Sequence, residues 1–380
     1  MRRCREQSGW ASGGLLLLAA GCLGAQDFCP GHPGHPILRT PGSAVCAHDP
    51  QSGNTAIDLF DQSIIEWGTL DVPNGSETSF NFIGPGGNRS VVNLVTGSET
   101  NNIDGVLSSN GRVVIASPGA ETRVRGSIIA GSFTGVGLQP DDLQALLAGG
   151  DTSFGFSGGR EWFSVRGGSI TAVDGDVVLG AETVTLGTGS DVSAPGGAVR
   201  IVSASQFALN RNGVERISEG GAPGAGVVLN TGQIEGQTVE VKSTGDINNA
   251  GRIAAGGGAG NIFLRVGPNG TVFNEGTGTL LGMLQVTGNF DDVGISLGPD
   301  DLDAAVATSD STINLPDLQD PRGRKTKGRV ISRVGGAAGS AAVAREKRTQ
   351  RAAGTSASRR KMLNRKSSFF GLVGRGQAKP

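Results

Sequence analysis

Between Ile64 and Phe133 the chain alternates short β-branched runs with Gly, Asn and Ser turns, and no helical period appears. Apolar residues recur at every second position. In Thr78-Ser79-Phe80-Asn81-Phe82, for instance, both phenylalanines fall on one face of a strand. Ile64-Ile65-Glu66-Trp67 and Leu70-Asp71-Val72 read as strands before it. The exception is residues 139–149, QPDDLQALLAG. There Asp141 or Asp142 can cap a short helix that places Leu143, Leu146 and Leu147 on one side.

From residue 161 to 290 the pattern repeats. Ser169-Ile170-Thr171-Ala172, Asp191-Val192-Ser193-Ala194, Gln233-Ile234 and Arg252-Ile253-Ala254-Ala255 have a common form, and most are followed by a second strand beginning at a glycine. Their central residues, 170, 192, 234 and 253, are separated by 22, 42 and 19 positions. These steps predict coils of roughly 20 residues, with one coil skipped near 212. Units of that size bury their apolar edges only against one another, so the expected architecture is a solenoid. Short strands cornered by Gly and Asn make it all-β: a parallel β-helix whose ends need caps.

One part of this pattern is more specific. Val92-Asn93-Leu94-Val95-Thr96-Gly97 precedes Ile103-Asp104-Gly105-Val106-Leu107-Ser108-Ser109-Asn110-Gly111-Arg112-Val113. The order resembles the N-terminal secretion domain of filamentous-haemagglutinin-like exoproteins, the passengers of bacterial two-partner secretion. Residues 54–205 carry the resemblance. Leu94 stands where the family has Arg, and Ser117-Pro118-Gly119-Ala120 stands where it has Asn-Pro-Asn-Gly. Pro118 and Gly119 still suit a tight turn. The resemblance implies a right-handed β-helix with N-terminal cap strands and an extra-helical sheet. It also implies recognition by the periplasmic domains of an outer-membrane pore transporter. The recognition candidates are Asn93, Thr96, Gly97, Ile103, Gly105, Leu107, Asn110, Gly111 and Pro118. The alternative role for Asn93 and Asn110 is to bond turns within the scaffold.

Composition adds to this picture. The 65 glycines, the absence of Tyr and an aromatic share of 4% suit a turn-dense β architecture better than a compact enzyme core. The net charge of −1 hides an asymmetry. Residues 322–380 hold 17 Lys/Arg and only Glu346 as an acid, so 1–321 carry −17. The body is acidic. The tail is basic, rich in Ala, Gly and Ser, and expected to be disordered when free.

The first 25 residues have the form of a signal peptide. Arg2, Arg3 and Arg5 precede Leu15-Leu16-Leu17-Leu18-Ala19-Ala20, and small residues follow through Ala25. That apolar core is short of the roughly 20 residues a bilayer span needs. Ordinary cleavage after Ala25 and lipidation of Cys22, in Ala19-Ala20-Gly21-Cys22, are both open. Either implies export, to the cell surface or beyond it. The division expected is a signal peptide (1–25), a Pro/Gly/His-rich lead (26–53), a secretion-like domain (54–160), coils (161–290), an acidic cap or linker (291–321) and the basic tail (322–380). In the lead, Cys29 and Cys46 suit a disulfide in an exported chain. The alternative is a zinc site from Cys29, His32, His35 and Cys46, although their spacing matches no standard finger.

Three functional classes fit. The first is a non-catalytic, adhesin-like surface or secreted protein, with host or surface glycans among its partners. The second is a carbohydrate-active β-helix enzyme. Against it, no histidine follows His48, and the pairs Asp141-Asp142, Asp291-Asp292 and Asp300-Asp301 fit turns and helix starts. The third is a lipid-anchored envelope protein whose tail binds an anionic polymer. The tail has no pattern for reading specific nucleic acid. Gly187–Asp191 resembles a fragment of a calcium-binding repeat but occurs once, and such sites need stacked copies. Gly256–Gly260 lacks the Lys-Ser/Thr of a phosphate loop, and no cofactor motif is present.

Overall fold

A computed structural model describes residues 28–84, 89–210, 213–217, 226–298, 317–319 and 325–327. The residues read as a signal peptide, Cys22, Asp300-Asp301 and nearly all of the basic tail lie outside them.

The chain winds into a parallel β-helix with three faces. The first face begins with Thr55–Leu59 and Glu77–Phe82, and continues strand on strand to Ile295–Leu297. The second runs from Ser63–Trp67 to Met283–Thr287. The third is an eight-stranded parallel sheet from Asn101–Ile103 to Asn289–Asp292. Two long strands, Asp191–Ser203 and Gln233–Ser243, cross the first two faces without a break. The stack is continuous through residue 160 and includes Ile295–Leu297, within the segment read as cap or linker.

The register on the first face is that of the sequence repeat. Ile170 pairs with Val192, Val192 with Ile234 and Ile234 with Ile253. All four are buried in one apolar core, with Leu107 and Ile128 in the same column. Because Val192 stacks directly on Ile234, no coil is skipped near 212. The extra length leaves the helix instead. Gln206–Asn210 and Gly213–Ile217 join Gln139–Pro140 and Thr152–Gly155 in a four-stranded antiparallel sheet outside the stack. An excursion strand alternates like a coil strand, so a 42-residue step reads as a lost repeat.

That outer sheet and the helix Leu143–Ala148 cover the second face. Asp142 caps the helix through bonds from the backbone N–H groups of Gln144 and Ala145, and Gly149 closes it in the left-handed region. Arg112 donates to the Leu146 carbonyl oxygen at 2.6 Å. Burial lowers the Arg112 pKa to about 10. Ile64, Val92, Val114, Val178 and Val202 point outward from the coils and meet Leu146, Leu147, Phe154 and Phe207 in a second apolar cluster. From Ser63–Trp67 to the end of Asp191–Ser203 the second face is thus buried on both sides, which explains its unbroken apolar runs there, whereas Asn261–Val266 and Met283–Thr287 alternate buried and exposed positions.

Along the third face, one inward column changes chemistry. Ile103, Val124, Val165 and Leu186 are followed by Asn230, Asn249, Asn274 and Asp292. Each Asn Nδ2 donates to the next rung, at 2.7, 2.7 and 2.8 Å. Asp292, an acceptor, receives the last of these bonds. It lies in a strand, which corrects its placement in a turn or helix start. Asp141, by contrast, accepts a bond from the backbone N–H of Ser153.

Candidate recognition surface

The lead segment caps the N-terminal end of the stack. Ile37–Leu38 pairs antiparallel with Ser63–Trp67, and Ala44–His48 with Thr55–Leu59, so the first coil has no bare edge on these faces. Cys29 and Cys46 form a disulfide. Neither thiolate is therefore available to the zinc alternative, and no group of three metal-binding side chains occurs among the described residues. His32 is buried and lies edge-on to Trp67, with ring centroids 5.1 Å apart.

Most of the motif residues face inward. Asn93 is fully buried; its Oδ1 accepts from Trp67 Nε1 at 2.9 Å and its Nδ2 donates to the Val114 carbonyl oxygen. Asn110 is exposed, yet its amide bonds both the N–H and the C=O of Phe82. Ile103 and Leu107 lie in the core. Gly97, Gly105 and Gly111 are stacking points: a Cβ at Gly105 would overlap the carbonyl oxygens of Ser76 and Pro73. Thr96 is exposed, and its hydroxyl donates to the Trp67 carbonyl oxygen. Pro118 is half-buried. The motif therefore builds the coils, and Thr96, Asn110 and Pro118 show where it reaches the surface.

The turn at 117–120 has a partner that the sequence did not suggest. Gly119 lies against the turn at 157–160, and Arg160 N–H donates to its carbonyl oxygen. Beside this junction sit two buried carboxyls. Glu121 accepts from Arg123 and Ser164, and Arg166 lies 3.7 Å away. Burial alone would raise its pKa; the bonds and charges of Arg123, Ser164 and Arg166 outweigh burial and hold it below its usual value. Glu161 is fully buried. Its Oε1 accepts from the Ser157 N–H and hydroxyl, while Oε2 has no hydrogen-bond partner. Burial, helped by the charge of Glu182, pushes its carboxyl up. The signal for this cluster lay in Glu121-Thr122-Arg123-Val124-Arg125, where charge takes every second position.

No family model matches the chain, and no curated protein does. Among solved structures it resembles the crystal structure of the HMW1 secretion domain from Haemophilus influenzae. The TM-score is 0.54 and the identity 20%, over 69% of this chain and 72% of that one. The two share a fold. At this identity the likeness concerns backbone architecture, and the chain covers most of the HMW1 domain rather than a fragment of it. No helix among the described residues is long and apolar enough to cross a membrane.

Proposed function

We propose that this chain is an exported passenger of the two-partner type, non-catalytic and adhesin-like, whose N-terminal coils engage an outer-membrane pore transporter. The observation that carries this reading is the coincidence of two independent likenesses. The motif at 92–113 resembles that family's secretion domain, and the backbone fold resembles a solved secretion domain. The capped first coil gives the reading a mechanism. Once the N-terminal end has formed outside, each new coil buries apolar edges on the coil before it, and the growing stack favours outward movement. Glu121 is consumed by its ion pairs and Glu161 is sealed from solvent, which supports a structural role for both acids.

The test is to join residues 1–298 to a reporter and co-express it with a two-partner pore transporter. The reporter is expected in the medium only when the pore is present and residues 64–133 are intact. Equal release without the pore, or from the chain lacking 64–133, overturns the proposal.

A further inference from the structure

The helix and the outer sheet cover the second face and leave the first one open. Ten large apolar side chains are exposed among the described residues, and six of them lie on the outer side or rim of the first face. They are Val45, Phe60, Ile83, Val106, Ile129 and Val173, from the N-terminal cap to the turn after Ser169–Ala172. Phe60 and Ile83 follow the paired residues Leu59 and Phe82, so they stand side by side, with Val45 diagonally across from Phe60. Val106, Ile129 and Val173 run diagonally over the next three strands. Single exposed apolar residues are ordinary, whereas a strip of them on one face marks an interaction site.

Acids border this strip. Asp58, Glu77 and Asp191 lie on strands of the first face and Asp61 and Asp174 at its rim, and none has a basic partner among the described residues. No Lys or Arg occurs on the strands of this face before Arg252, which pairs with Glu235. The bases at its corners are already engaged. Arg89 donates to the Gly84 carbonyl oxygen, Arg125 pairs with Asp104, and Arg166 lies beside Glu121. Arg39 and Arg200 are bonded to Glu66 and Asp176, and Arg112 is buried under the helix.

We propose that this strip is the docking surface for residues 361–375 of the same chain, Lys-Met-Leu-Asn-Arg-Lys-Ser-Ser-Phe-Phe-Gly-Leu-Val-Gly-Arg. That segment holds every Phe, Leu and Met of the basic tail, together with Lys361, Arg365, Lys366 and Arg375, and no acid. It therefore brings apolar side chains to an apolar strip and positive charge to an acidic border. A second copy of the strip would set acid on acid instead. The tether is long enough. From Gly298 to Lys361 there are 63 residues, and a flexible chain of that length spans about 40–45 Å. The ten coil strands of the first face, from Thr55–Leu59 to Ile295–Leu297, extend over about 43 Å at about 4.8 Å spacing. A tether matched to its span gives the second contact its highest effective concentration. The strip lies on the coils assigned above to the transporter, so a docked tail and a bound transporter would compete. That consequence rests on the secretion reading, whereas the docking itself does not.

Photo-crosslinking in the full chain, with no transporter present, tests the docking. Phe370 is replaced by photoreactive benzoylphenylalanine, and linked peptides are identified by mass spectrometry from an equal mixture of light and isotope-heavy chains. The link is expected within one chain, to peptides containing Phe60, Ile83, Ile129 or Val173. Ile83→Ser with Ile129→Ser, and separately Glu77→Lys with Asp174→Lys, are each expected to lower its yield at least about fivefold. All four residues are exposed, and unchanged circular dichroism checks the fold of each variant. Absence of any link, links to the second or third face, or light–heavy links that make a second copy the occupant overturn the proposal. So does a yield that either pair of substitutions leaves unchanged.

Discussion

At the scale of single residues, the two buried glutamates respond to pH in opposite directions. Glu161 is held above its unfolded pKa by burial, so the folded chain binds the proton more tightly than the unfolded chain. Its contribution is present at low pH and is lost as pH rises from the unfolded value through the folded one. Glu121 is held below its unfolded pKa, so its contribution is present at neutral pH and fades as pH falls through the folded value. Glu161→Gln removes the first effect. In urea titrations, the stability that wild type loses between pH 4.5 and pH 7 is expected to shrink in this variant. An identical loss in both proteins would mean that Glu161 is ionised in the fold at no cost. Neither role was readable in the sequence, because whether an acid just before a strand faces its own turn or the solvent depends on the coil beside it. Asn93 makes the same point. Its place in a motif left it open between a surface role and bonding within the scaffold, and the coil turns it inward toward Trp67.

At the scale of elements, the outer sheet is fixed to the stack by few but large contacts. Phe207 stacks on Phe154 at 4.8 Å between ring centroids, and its ring lies where a Cβ on Gly180 would stand. Phe207→Ala is expected to cost about 3–5 kcal/mol, the usual range for a buried aromatic. Hydrogen exchange should locate the loss in 152–155 and 206–210, with protection of the coil strands such as Val177–Ala181 nearly unchanged. Loss of protection spread evenly over the coils would mean that the sheet and the stack are one cooperative unit. The coil strands were legible because an inward Ile or Val recurs with the rung, as at 170, 192, 234 and 253. An extra-helical sheet was implied by the family resemblance, and one is present, but which strands form it was not readable from the pattern. Phe207 and Leu209 alternate as coil residues do, and the direction in which a strand leaves the stack is set by what it packs on. The short helix could be read because Asp142 and three leucines define it locally.

For the whole molecule, the asymmetry between the two ends of the stack is the main feature. The N-terminal end is closed by two antiparallel strands, a disulfide and His32 under Trp67. Toward the other end, the apolar column of the third face gives way to the asparagine ladder. Growth therefore has a defined starting plane, and each coil meets a finished surface made by the one before it. This order suits a chain that emerges from its N-terminus. The cap strands complete the first coil's N-terminal edge, while its outward Ile64 is covered only by the later helix Leu143–Ala148 and the outer sheet.

The outer sheet draws its strands from two excursions, 139–155 and 206–217, and a complete coil with Val177–Ala181 lies between their points of departure. It works as a staple across neighbouring turns of a spring. Pulled from its C-terminal end in an optical trap, the chain should pay out one coil at a time, in steps of roughly 20 residues or about 70 Å. When the pull reaches the staple, the short steps should give way to a single larger rip at higher force. A spring of this kind stretches easily at one end and holds firm at the other, so a chain held by its N-terminal coils would resist being pulled apart from the other end.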